Sequence, residues 1–301
     1  MTRRGLLGVV FVLVAWASGT EAAQKESAVT RGQHLFRIAG CAACHTDAKN
    51  GGAFLAGGRA FETPFGRFFA PNITPDRTHG IGNWSDGDFL RALKGGIAPD
   101  GSSYFPAFPY TAYAGMSTED ALAIKAYLFT VRPVVQPDRS HELPWYLGRL
   151  AARAWKWLYF RPPEATREKN ARGEYLAESV AHCGECHTPR DALGGLLPAR
   201  KFSGTSSGPE GKAIPNITPD RKTGIGKWRR REIAEYLKSG ARPDGDYAGS
   251  LMAEVIDEGL KHLTRDDALA LADYVLGVPA VENEVKRERS GKKKAARGEF
   301  D

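Results

Sequence analysis

Cysteine is scarce in this chain of 301 residues, which holds four. They fall in two pairs, Cys41 with Cys44 and Cys183 with Cys186. Each pair belongs to one local pattern, so none is left for a separate disulfide, zinc site or thiol nucleophile. Methionine is scarcer: with the initiator set aside, Met116 and Met252 are the only thioethers. The apolar run Gly5 to Ala17 falls short of the roughly 20 residues that cross a bilayer, which disfavours a retained spanning helix. No stretch alternates apolar and polar residues as a strand would. No stacking motif accompanies the net charge of +7, so nucleic-acid binding is not indicated.

What is present is Cys41-Ala42-Ala43-Cys44-His45, repeated as Cys183-Gly184-Glu185-Cys186-His187. Two thiols three apart with a histidine directly after them form the attachment pattern of a c-type haem. On one helical turn the cysteines at i and i+3 face the same way, each placed to add to one haem vinyl group. The adjoining imidazole reaches the iron as an axial ligand. Two other readings compete. A zinc ribbon sets its cysteine pairs about 15 to 20 residues apart, whereas these are separated by more than a domain's worth of chain. A thioredoxin-like redox pair follows a strand and has no use for a histidine after both pairs. The expected cofactors are therefore two covalently bound haem c groups.

Residues 1–22 have the layout of a secretory signal peptide: arginines at Arg3 and Arg4, an apolar centre, then small residues with cleavage expected near Ala22. Export to the periplasm follows. At the other end, Lys286 to Arg297 hold seven cations and one acid, so 281–301 is expected to be a basic tail that supplies much of the charge.

Between these ends the chain repeats itself. Pro71-Asn72-Ile73-Thr74-Pro75-Asp76-Arg77 returns at Pro215 to Arg221, and Gly80-Ile81-Gly82-Asn83-Trp84 returns at Gly224 to Trp228. Two copies of one haem domain are expected, at 28–135 and 166–280, with a linker at 136–165. Apolar residues at helical spacing (Phe89, Leu90, Leu93; Ile233, Tyr236, Leu237) give each copy a helix after the tryptophan. Ser117 and Thr264 are placed to cap a last helix, with acids at its positive end. The fold class is read as all-α. The linker carries Trp145, Tyr146, Leu150, Trp155, Trp157 and Phe160 among Arg149, Arg153 and Lys156. Such an amphipathic aromatic helix suits a cover over the seam between domains, a membrane interface or a partner groove.

The order of haem motif, tryptophan turn, short helix, methionine loop and terminal helix resembles class I cytochrome c, twice over. The segments NITPDR, GIG-x-W, PAFPY and HCGECHTPR are similar to the cytochrome c subunit of membrane-bound alcohol dehydrogenases and its shorter diheme relatives. The likeness runs to about Pro279, although the full alcohol dehydrogenase subunit carries three haems and this chain has two motifs. The resemblance implies tandem cytochrome c domains in which Trp84 and Trp228 donate to haem propionates, and in which Gly32 with Tyr127, and Gly173 with Tyr274, join the first and last helices. It also implies His45 and His187 as proximal ligands. Met252, 24 residues beyond Trp228, stands where the family has its sixth ligand. The same count from Trp84 reaches Phe108, which cannot bind iron, so the first sixth ligand is Met116, His79 or an open position, with Met116 favoured.

The function this implies is a periplasmic carrier of single electrons, not itself an enzyme. It would run from a donor dehydrogenase of quinoprotein or molybdenum type towards a downstream oxidase or cytochrome of the respiratory chain. The alternative is a diheme oxidoreductase of thiosulfate dehydrogenase or peroxidase type, with the first haem as reaction site. The first type would want a spare cysteine, and the second an acid–base residue that no spacing supplies; His34, His141, His182 and His262 read as surface or packing residues. A pyridine haemochrome assay is expected to count two c-type haems per chain; fewer would return the cysteine pairs to the zinc or redox readings.

Overall fold

A computed structural model describes residues 24, 26–162 and 171–285 of the chain. The expected signal peptide, the segment 163–170 where linker meets second repeat, and the tail beyond 285 lie outside the described residues. What is described is largely helical, and the sequence repeat is a structural one.

In the first half, helix α1 (26–38) leads through Gly40, held left-handed at φ 65°, into the five-residue helix α2 (Cys41–His45). A loop carrying the Pro71 to Arg77 motif follows, then α3 (Asp86–Gly95), α4 (Tyr110–Tyr113) and α5 (Thr118–Leu128). The linker folds as α6 (Arg149–Tyr159). The second half repeats the order with α7 (Ala171–Tyr175), which runs on as a π-helical turn through Leu176–Val180, then α8 (Cys183–His187), α9 (Arg230–Ser239), α10 (Ser250–Glu258) and α11 (Arg265–Gly277). The caps are where the sequence puts them. The Ser117 hydroxyl accepts from the Asp120 amide and that of Thr264 from the Asp267 amide, both at 3.0 Å, so free first-turn amides gain partners.

The all-α reading needs one correction. Strands β1 (Ala60–Thr63) and β2 (Gly66–Phe69) form an antiparallel hairpin in which Thr63 faces Gly66. The Thr63 hydroxyl accepts from the Phe65 amide at 3.1 Å and donates to the Gly66 carbonyl at 2.7 Å, closing the turn. Four-residue strands are too short for a period of two to stand out from the sequence. Glu142 of the linker pairs with Arg67 through both backbone groups, at 2.9 and 3.0 Å, and so covers the open edge.

The seven-residue loop that begins at Pro71 and its repeat at Pro215 share one set of hydrogen bonds. Asn72 Oδ1 accepts from the Thr74 amide and hydroxyl, and the Thr74 hydroxyl in turn accepts from the Val134 amide. Asn216, Thr218 and Val281 repeat the set. These polar groups are buried, so the paired bonds keep them from being an unsatisfied cost. Leu55 and Phe202, both fully buried, sit left-handed at φ 60° and 61°, and their carbonyls accept from the amides of Ile73 and Ile217. A non-glycine residue holds that backbone only where its surroundings over-determine it.

First and last helices cross where the resemblance implies, at glycine. A Cβ built on Gly32 would lie 1.8 Å from the Ala123 carbonyl oxygen, and one on Gly173 would lie 2.1 Å from that of Ala270. Tyr274 sits directly beside Gly173, whereas Tyr127 meets the neighbouring ring of Phe36 with centroids 5.0 Å apart. The apolar core is continuous between halves: Leu35, Phe36, Met116 and Ile124 share one buried cluster with Leu176, Val180, Phe202 and Leu271. Gly32→Ala or Gly173→Ala is expected to push these helices apart and cost about 1–3 kcal/mol or more, read as a lowered thermal midpoint. Gly277→Ala, whose added methyl meets nothing within 4 Å, is expected to leave it unchanged.

Candidate functional site

The cysteines of α2 and α8 are half-buried except for Cys44, which is exposed, and all four are free. Burial pushes the thiols of Cys41 and Cys183 up to about 12 and that of Cys186 up to about 11. A disulfide oxidoreductase lowers its attacking thiol instead. Among the described residues no cluster of three or more potential ligands of the zinc type forms, so the cysteine pairs do not close a ribbon.

Each histidine is oriented by the repeated loop. His45 Nδ1 lies 2.8 Å from the Pro71 carbonyl oxygen, and His187 Nδ1 lies 2.8 Å from that of Pro215. A carbonyl only accepts, so Nδ1 carries the proton and the Nε2 lone pair is left free for a metal. Burial also lowers the pKa of both imidazoles, which favours the neutral, ligating form. Trp84 and Trp228 are half-buried at the entry to α3 and α9, and neither indole N–H has a protein acceptor among the described residues. Paired thiols, a fixed imidazole and a spare indole donor suit a covalently held haem with propionates; iron bound there would supply reversible one-electron chemistry.

Around the sixth position the halves differ. Met252 lies on α10 and is half-buried against the core, whereas Met116, in the turn between α4 and α5, is 1% exposed and enclosed by it. Phe108 packs its ring among Tyr104, Tyr110 and Tyr113. The Asp138 carboxyl accepts from the Asn72 amide in the Pro71 loop, and the His79 amide donates to Asp76 of the same loop at 2.7 Å. His79 thus stands by the segment that holds His45. Arg77 and Arg221 are exposed.

The structure also brings the two motifs together through Ala39, Tyr113 and Arg59, which no sequence pattern marks, and through His182, which serves as a packing residue. The Ala39 carbonyl, two residues before Cys41, is approached at 3.3 Å by both the Tyr113 hydroxyl and His182 Nε2, and His182 directly precedes Cys183. The Tyr113 and His182 rings meet edge to face at 5.4 Å. Thr111 donates to Glu185 of α8 at 2.8 Å. Arg59 bridges two elements at once, donating to the Ala43 carbonyl inside α2 and to Glu254 of α10. The helix that carries Met252 is thereby pinned to the first cysteine helix. No spacing rule reveals such contacts, since Arg59 and Glu254 are 195 residues apart.

A helical fold that sets Cys-x-x-Cys-His on a short helix, with the imidazole oriented from behind, defines a c-type cytochrome. The chain belongs to the cytochrome c family, whose model matches residues 29–132. It is 38% identical to a diheme cytochrome c-type protein of Cereibacter sphaeroides, over 94% of this chain and 100% of that one. It is 34% identical to the cytochrome c subunit of gluconate 2-dehydrogenase from Pantoea cypripedii, over 92% of this chain and 65% of that subunit. It is 39% identical to the cytochrome subunit of fructose dehydrogenase from Gluconobacter japonicus, over 87% of this chain and 54% of that subunit. The chain thus matches the whole of the first relative and roughly half to two-thirds of the other two. As a member of that family it is an electron-transfer protein with covalent haem c.

Arg59→Leu is expected to leave Glu254, 32% exposed, without its partner and to cost about 1–3 kcal/mol. Thermal unfolding of the haem-loaded protein checks this, with Arg59→Lys, which keeps the charge without the fork, recovering part of the loss.

Proposed function

We propose that the chain is a periplasmic carrier with two haems, taking single electrons from a dehydrogenase and passing them towards the respiratory chain. The observation that carries this reading is the duplicated bond from histidine Nδ1 to a proline carbonyl, 2.8 Å in both halves. Two sites prepared in the same way support one haem each, in tandem class I cytochrome c domains at 28–135 and 166–280. Residues 1–22 would direct export, 136–165 would link the domains, and 281–301 would remain a basic tail. Among the described residues no helix is long and apolar enough to cross a membrane.

In this reading Cys41, Cys44, Cys183 and Cys186 hold the groups covalently, so that none is lost outside the cell. His45 and His187 ligate through Nε2, and Trp84 and Trp228 donate to propionates. Met252 completes the second site and Met116 the first, because Phe108 has no donor atom. Both sixth positions filled by thioether suits electron transfer, since no position is left for a substrate. The contacts through Ala39, Arg59 and Glu185 hold the two motifs in fixed relation, as exchange of electrons between groups bound there would require.

Two of the relatives named above are cytochrome subunits of gluconate and fructose dehydrogenases, and another is the cytochrome c subunit of a quinone-dependent alcohol dehydrogenase. A donor of this kind, with the quinoprotein and molybdenum types that the resemblance implies, supports the partner reading, and an oxidase or a further cytochrome is the acceptor. Optical and EPR-monitored redox titration is expected to resolve two low-spin centres. Met116→Ala and Met252→Ala are each expected to remove about half of the far-red methionine-to-iron band. Each should lower one potential by a sizeable part of the roughly 0.8 V span that axial ligation sets. An undiminished band in Met116→Ala would overturn Met116 as a ligand.

A further inference from the structure

The linker helix α6 is aromatic on both sides: its inner side is anchored by polar bonds, and Leu150, Trp157 and Leu158 point out. On the inner side Ala152 is buried, Trp155 Nε1 donates to the Leu193 carbonyl at 2.9 Å, and the Tyr159 hydroxyl donates to Asp191 at 2.9 Å. Lys156 donates to the Gly95 carbonyl, and Phe160 meets the Tyr110 ring at 5.3 Å. The inner face therefore touches both halves, as a cover over their seam should. On the outer side Leu150 is 81% and Trp157 77% exposed, and Trp145 in the preceding turn is 94% exposed with Tyr146 edge-on beside it. Spacing of i and i+4 through 150, 154 and 158, with 153, 157 and 161 alongside, puts these residues in one stripe along the helix.

Covering a seam needs only the inner face, so the outer stripe is unexplained by it. An exposed run of tryptophan and leucine is costly in water and marks a contact surface. Its charge is of one sign: Leu143 to Pro162 contains Arg149, Arg153, Lys156 and Arg161 and no acid. Arg149 makes one exposed pair with Asp100 at 3.0 Å, and Arg161 donates to the carbonyls of Trp157 and Phe160 at the helix end. Arg153 has no carboxylate partner among the described residues. A groove of about 910 Å³ beside the stripe is lined by Leu150, Trp157 and Phe160 together with the same four cations, Arg149, Arg153, Lys156 and Arg161, against one acid, Asp100. Apolar side chains with an excess of cations match an amphiphile that is anionic at its head.

We propose that the outer face of Trp145–Arg161 lies on an anionic phospholipid bilayer. Trp145, Leu150 and Trp157 sink into the interface while Arg149, Arg153 and Arg161 meet lipid phosphates. Tryptophan and tyrosine are the side chains whose rings favour the water–lipid boundary, and basic flanks on an apolar stripe are what holds a helix in the interfacial plane. An acidic protein could satisfy the charges, but tryptophans standing clear of the surface at both ends of the segment suit the bilayer better. The proposal does not depend on the number of haems or on their donor.

The test is sedimentation of the haem-loaded full chain with phosphatidylcholine vesicles, with and without phosphatidylglycerol. Binding is expected only with the anionic lipid, weakening as salt is raised. The double variant Leu150→Ser, Trp157→Ser is expected to bind about tenfold more weakly or worse, from the apolar area lost to the interface, with its haem spectrum unchanged. A chain truncated after Val285 should still bind, which separates this face from the basic tail. Failure to bind, equal binding by the double variant, or saturable binding to polyglutamate instead of vesicles would each overturn the proposal.

Discussion

The hydrogen bond from histidine Nδ1 to a proline carbonyl is the constraint on which the rest depends. An imidazole can offer either nitrogen to a metal, and which one is free is decided by what holds the other. Here the holding atom is a backbone carbonyl in a loop whose own polar groups are internally paired through Asn72 and Thr74, or Asn216 and Thr218. The loop is in turn anchored to the chain after the last helix, at Val134 and Val281. Ligand orientation is thus transmitted from the end of each half to its beginning. This explains why the seven-residue motif is repeated intact although most of the surrounding sequence is not.

The second organising feature is that the halves are interlocked and not merely linked. Asp120, buried at the head of α5, is reached by Arg31 at 2.6 Å from its own half and by the Tyr175 hydroxyl from the other. Asp267, its counterpart on α11, is held by the Arg172 fork at 2.6 and 2.8 Å with His34 of the first half nearby. Burial pushes the Asp267 carboxyl up, but Arg172 and His34 outweigh it and hold it below the ordinary carboxylate range. A depressed carboxylate contributes stability at neutral pH that is lost as pH falls through its folded value. The contact between α7 and α11 within the second half is therefore stronger at neutral than at acid pH.

How far the sequence discloses this depends on the range of the interaction. The cysteine motifs, the repeated loop and the caps at Ser117 and Thr264 are legible because each is written in a few neighbouring residues. The glycine crossings are legible only through the resemblance, and the atom nearest to Gly32 is the Ala123 carbonyl oxygen. The hairpin at Ala60–Phe69 escaped because its strands are four residues long and its stability comes from pairing with distant Glu142. Arg59, Glu254, Tyr113 and the Ala39 carbonyl escaped because their roles exist only after the halves pack. The direction in which α6 turns its tryptophans could not be read either, since both faces of that helix are aromatic.

The π-helical turn at Leu176–Val180 preserves a record of how the two halves diverged. Cys41 follows the crossing glycine Gly32 by nine positions, whereas Cys183 follows Gly173 by ten. A π turn accommodates one residue more than the α-helix it interrupts. The second copy has absorbed an inserted residue there without moving either end, keeping its glycine against α11 and its cysteine in place. Duplicated copies in such a protein can drift in length wherever a helix is able to widen, while the residues that grip the cofactor stay in register.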